Sequence, residues 1–97
     1  MNEADVIKRC KAIATKQGVP FIRLTFGAGV QVGWPDFCFL IPGGRPWFVE
    51  FKAPGKKPTK RQEYRIRLLR DFGYDVSVCD DAGEFGYDLL DRLEKWP

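Results

Sequence analysis

The chain has 97 residues, 16 Lys and Arg against 13 Asp and Glu, and no histidine. That length suits one domain with a modest core, and no apolar run approaches the roughly 18–20 residues that span a bilayer. The missing histidine removes Cys/His zinc sites, Ser-His triads and every hydrolase built on a histidine base, so catalysis would have to rest on carboxylates, lysine and a metal.

The elements follow in chain order. Residues 3–17 predict a helix, because Val6, Ile7, Cys10, Ile13 and Ala14 recur on one face. Asn2 is placed to cap it and Gly18 to close it. "FIRLTF" (21–26) alternates and is rich in aromatic and β-branched residues, so it predicts a strand. "GAGVQVG" (27–33) reads as a glycine-rich loop. "DFCFLI" (36–41) and "WFVEFK" (47–52) predict two strands joined by the turn "PGGRP" (42–46). Both strands are apolar on both faces, which predicts central strands covered on both sides. After the loop "APGKKP" (53–58), Thr59 caps a second helix over about 60–72, stopped by Gly73. "DVSVC" (75–79) predicts a fourth strand, and Phe85, Leu89, Leu90 and Leu93 mark a helix over about 84–95. The result is an α/β fold of order α-β-β-β-α-β-α, a mixed sheet between helices in a single domain over 1–97.

Cys10, Cys38 and Cys79 are odd in number, far apart and set among apolar residues. They read as reduced, buried thiols. The opening "MNEADVIKRCK" lacks the basic-then-apolar order of a signal peptide, which points to a cytoplasmic protein with no membrane segment.

Three charges sit where charge is costly. Asp36 opens one apolar run, and Glu50 and Lys52 close the next. A lone buried charge costs several kcal/mol, on the order of what a stable domain can spare, unless it is paired or binds an ion. Side chains alternate along a strand, so Glu50 and Lys52 share a face, and the hairpin turn brings Asp36 to the same open end. Two carboxylates there suit a hard cation such as Mg²⁺, with Mn²⁺ as a substitute, and the Phe51 carbonyl offers a third oxygen. Lys52 would orient water and offset charge developing on a phosphate. Glu3 lies on the apolar side of the first helix, so it can face inward as a further acid, acting on the ion directly or through water. Gln62 lies on the inward side of the second helix, in its first turn, where anions are attracted.

Between Lys56 and Arg70 the chain carries seven cations and one anion, Glu63. Such a segment is the footprint of a phosphate-backbone binder, with Lys56, Lys57, Lys60, Arg61 and Arg65 as the candidate DNA contacts.

"GWPDF", "FVEFKAPGKKPT" and the glutamine at 62, preceded by Glu3, resemble the virus-type replication-repair nuclease (VRR-NUC) family within the PD-(D/E)xK nucleases. The resemblance runs from Glu3 to Val78. It implies a restriction-endonuclease-like fold and cleavage of DNA phosphodiesters with Mg²⁺ or Mn²⁺. Asp36 and Glu50 would be metal ligands, Lys52 the catalytic lysine, Glu3 the helix-one acid and Gln62 the helix-two glutamine. Small stand-alone members of phage or bacterial type resemble this chain, and they imply a homodimer acting on branched DNA, above all the four-way (Holliday) junction, with no nucleotide cofactor. A two-fold junction needs two matched cuts, which a C₂ dimer supplies. Trp34, Trp47, Trp96 and "LLDRLEKW" are candidate interface residues, although Trp47 reads better as core. The rival readings are a non-catalytic nucleic-acid-binding module and a nuclease of flaps, duplex ends or RNA.

Overall fold

The computed structural model describes residues 1–24 and 33–95. The elements run α1 (Glu3–Lys16), β1 (Phe21–Arg23), β2 (Phe37–Ile41), β3 (Arg45–Phe51), α2 (Lys60–Asp71), β4 (Asp75–Cys79) and α3 (Ala82–Glu94). They reproduce the expected order. The last two residues of the expected 21–26 strand, positions 27–32 of the expected 27–33 loop and Trp96 lie outside the described residues. No helix among the described residues is long and apolar enough to cross a membrane.

The four strands form one sheet in the order β1-β2-β3-β4. The first two pairings are antiparallel and β3–β4 is parallel, so the sheet is mixed. The parallel pair follows from the α2 crossover, since a short turn can join only antiparallel neighbours. The β2–β3 turn needs backbone that side-chained residues avoid: Gly43 and Gly44 have φ of 87° and 68°.

One face of the sheet holds the main core. Phe37, Phe39, Ile41, Trp47, Val49 and Phe51 project from β2 and β3 against Val6, Cys10 and Ala14 of α1 and Phe85 and Leu89 of α3. Aromatic rings dominate it, with Trp47 and Phe85 stacked at 5.1 Å and Phe39 against Phe85 at 5.0 Å. Trp47 is buried, donates from Nε1 to Ser77 Oγ and lies under the Arg92 guanidinium, so it packs the core as expected. The three cysteines are free and buried.

The opposite face is covered unevenly. α2 packs chiefly on β4, with Ile66 buried. Leu40 of β2 and Ile22 of β1 remain exposed. The expectation that both faces of β2 are covered therefore holds at Cys38, buried on this face, and fails at Leu40. An apolar run reveals that two faces are apolar, not how far a single helix reaches across them.

Caps set the helix ends. Asn2 and Asp5 form a reciprocal capping box on α1, and Thr59 and Gln62 form one on α2. α3 starts two residues earlier than its apolar spacing predicts because the Asp81 side chain accepts from the Glu84 amide. The D-x-x-E spacing carries that signal; the helix's two early glycines, Gly83 and Gly86, obscure it.

Candidate active site

The site is built where β2 begins and β3 ends. The last β2–β3 pair joins Phe37 to Val49, so Asp36 lies one step further, beside Glu50. β2 cannot continue there, and the Asp36 side chain takes the place of a ladder partner: its Oδ2 accepts from the Phe51 amide at 2.9 Å. Pro35, immediately before it, is fully buried and fixes the approach. The Leu24 amide donates to the Asp36 carbonyl at 2.8 Å. Asp36 is thus held by both its backbone and its side chain.

Glu50 is 1% exposed, the one buried charged residue among those described. Its Oε2 accepts from Gln62 Nε2 at 2.9 Å and lies 3.5 Å from Lys52 Nζ. Its Oε1 is buried and has no hydrogen-bond partner. Burial pushes the Glu50 carboxyl up to about 7, and the Asp36 charge adds to that; Lys52 pulls it back, and Glu3 raises it further. Burial also raises Asp36 from its ordinary value, opposed by the Phe51 amide and by the charges of Lys52 and Arg23.

Gln62 does two jobs. Its Oε1 accepts from the Thr59 amide at 2.9 Å, closing the α2 capping box, while its Nε2 holds Glu50. Lys52 is placed by β3 and by its amide, which donates to the Cys79 carbonyl at 2.9 Å. Asp36, Glu50, Lys52 and Gln62 are therefore brought together.

Glu3 stands apart. It is exposed in the first turn of α1 and lines a shallow depression with Lys11 and Arg23. Its charge reaches Glu50, but it does not face inward as expected. Among the described residues no group of three or more Asp, Glu, Cys or His side chains is gathered to hold a metal ion. The donor set that can be assembled here is two carboxylates and backbone oxygen.

The basic segment divides. Lys56 and Lys57 lie in the loop between β3 and α2, and Lys60 and Arg61 open α2, next to Gln62; all four are exposed. The Arg65 guanidinium stacks 4.5 Å from the Trp34 ring centre. Arg70, further along, donates to the Val76 carbonyl of β4, which engages that strand.

Sequence reasoning missed the part played by Gly33. Its φ is 94°, and a Cβ there would lie 2.8 Å from Arg61 Cγ and 3.0 Å from the Arg61 carbonyl oxygen. The segment leading to Asp36 can touch the first turn of α2 only because residue 33 has no side chain. The glycine itself was the available signal; its partner was not.

A mixed sheet bearing two acids and a lysine at one strand end, with a glutamine on the following helix, defines the PD-(D/E)xK type of nuclease domain. The chain belongs to the VRR-NUC domain family, whose model matches residues 1–82. A solved structure described as a VRR_NUC domain superposes with a TM-score of 0.77 and 26% identity, covering 98% of this chain and 97% of the other. A protein named "Putative nuclease p44", from Acyrthosiphon pisum secondary endosymbiont phage 1, is 44% identical over 48 residues. That match spans about half of each protein, 50% of this chain and 52% of the relative.

Proposed function

We propose that this chain is a metal-dependent DNA endonuclease that hydrolyses phosphodiester bonds and resolves four-way junctions as a homodimer. The observation that carries the metal site is the Glu50 Oε1 atom: buried, unpartnered and next to a second acid. An orphaned carboxylate oxygen in that position costs about 1–3 kcal/mol or more, and a hard cation relieves the cost.

Asp36 and Glu50, with the Phe51 carbonyl, would hold Mg²⁺ or Mn²⁺, and Glu3 would act through water. When bound, such an ion stabilises charge on the phosphoryl oxygens and acidifies water. Lys52 supplies a fixed positive charge beside Glu50, where the transition state gains negative charge. Gln62 keeps Glu50 turned toward Lys52. Lys56, Lys57, Lys60 and Arg61 draw the phosphate backbone to the α2 N-terminus, where the helix dipole also favours it, and Arg65 braces Trp34 at the margin.

The test is cleavage of a labelled four-way junction, a 5′ flap and a linear duplex of matched sequence, with Mg²⁺, Mn²⁺ or EDTA. Paired symmetric nicks in the junction, lost with EDTA, are expected. Asp36→Ala, Glu50→Ala and Lys52→Ala should each lose cleavage while keeping the fold. Wild-type rates from any of the three would overturn the assignment. Cutting confined to the flap would discard the junction role, and tight binding without cutting would make the chain a binding module.

A further inference from the structure

An apolar cavity of about 220 Å³ lies on the same face of the sheet as the acids, lined by Leu24, Trp34, Pro35, Phe48 and Leu69. Among the described residues its walls are apolar. Two of them are tied to Asp36: Pro35 precedes it in the chain, and the Leu24 amide binds its carbonyl. A third, Phe48, is two residues before Glu50 on β3, on the same face and about 7 Å away by strand rise. That is the reach of a single nucleotide.

The acids lie on one side of the cavity, and cations lie on another. Lys60 and Arg61 open the helix that supplies Leu69, and the Arg65 guanidinium lies over the Trp34 ring. An apolar peptide side chain would fit the cavity but would gain nothing from these cations. A nucleotide uses both parts: an apolar π-face for the walls and a phosphate for the rim. Base and phosphate would then be separated as the cavity and the acids are.

We propose that this cavity receives one unstacked nucleobase of the DNA strand whose phosphate lies at Asp36 and Glu50. The inference rests on the proposed DNA substrate and adds a requirement to it. The substrate must offer a base free to leave its stack next to the cut, as the bases at a branch point are. Intact duplex resists, because unstacking costs energy. Selectivity for branched DNA then arises inside one protomer, from the cavity, whatever the partner copy contributes.

The test moves a single abasic nucleotide through the crossover of a four-way junction, one position at a time. The dissociation constant of the wild-type chain is measured in EDTA, and cleavage rates in Mg²⁺. At one position next to the cut, loss of the base should weaken binding roughly fivefold to a hundredfold. Leu69→Phe, which fills the cavity, and Trp34→Ala, which removes a wall, should erase that positional effect; circular dichroism confirms their folding. A flat scan on DNA that still binds would overturn the base site and leave the nuclease assignment standing. A positional effect that survives in both folded variants would place the base elsewhere and also overturn it. Failure to bind junction, flap and duplex alike would overturn both readings. If neither variant folds, a flat wild-type scan still overturns the base site, and Phe48→Ala, which removes another wall, takes their place.

Discussion

At the scale of single residues, Glu50 sets the terms. Its carboxyl is pushed up to about 7 from an ordinary value of 4.5, first by burial and then by Asp36. The folded chain therefore keeps a proton that the unfolded chain gives up earlier. This stability is fully present below about pH 4.5 and is lost as pH rises through about 7, by about 3 kcal/mol. Asp36, also raised, acts in the same direction. The metal-free protein should thus melt at lower temperature near pH 8 than near pH 5. Glu50→Gln should flatten that slope and raise the melting temperature at the higher pH. Mg²⁺ should restore the wild-type protein at high pH and leave Glu50→Gln unmoved. A wild-type melting temperature that rises across this range would contradict the account. The charges of this site were legible because Asp36, Glu50 and Lys52 break apolar runs, where a charge needs a reason. The unpartnered oxygen and the 2.9 Å bond from Gln62 were not, since both depend on how α2 meets β3. Glu3 shows the opposite limit. Helical periodicity put it on the apolar side of α1, but at the first turn that side extends past the core, and Glu3 stays exposed.

At the scale of elements, the first turn of α2 is where most of the site is fixed. Gly33 presses on Arg61, Thr59 caps the helix, and Gln62 joins the cap to Glu50. Gly33→Ala should cost roughly 1–3 kcal/mol, from the left-handed backbone and from the overlap with Arg61. Urea denaturation would measure it. Cleavage should fall further than that loss alone explains, because moving the turn moves Gln62. A variant with wild-type stability would show that the contact yields without strain. The elements were readable where caps and glycines punctuate the chain: Asn2, Gly18, Thr59 and Gly73 all mark ends as expected. The register between β2 and β3 followed from the tight turn. The reach of α2 across the sheet did not, because helix length in sequence says nothing of where a helix lies on a twisted surface.

At the scale of the whole molecule, the positive charge is arranged rather than merely present. Lys60 and Arg61 immediately precede Gln62, which holds Glu50, whereas Arg70 is spent on β4 and Arg92 on a paired bond to Asp75 at 2.7 and 2.8 Å. Reversing Lys56, Lys57 and Lys60 to Glu should weaken DNA binding and lower the slope of log K against log salt by about 3. Titrations at several salt concentrations read this directly, and an unchanged slope would turn the segment away from DNA. Such a division could not be read from a count of cations, since it depends on which guanidinium finds a carbonyl or a carboxylate. One further consequence belongs to the path of the chain. Asp36, Glu50, Lys52 and Gln62 all fall within residues 36–62, on a hairpin and the start of one crossover. α1 and α3 pack on the other face and donate none of these four. An exchange of that short span between two related chains would carry both acids, the lysine and the glutamine across together, while the residues that meet them from outside it, Gly33 above all, would stay those of the recipient. The span is contiguous but not independent: wherever it travels, position 33 must stay a glycine for the first turn of α2 to seat against it.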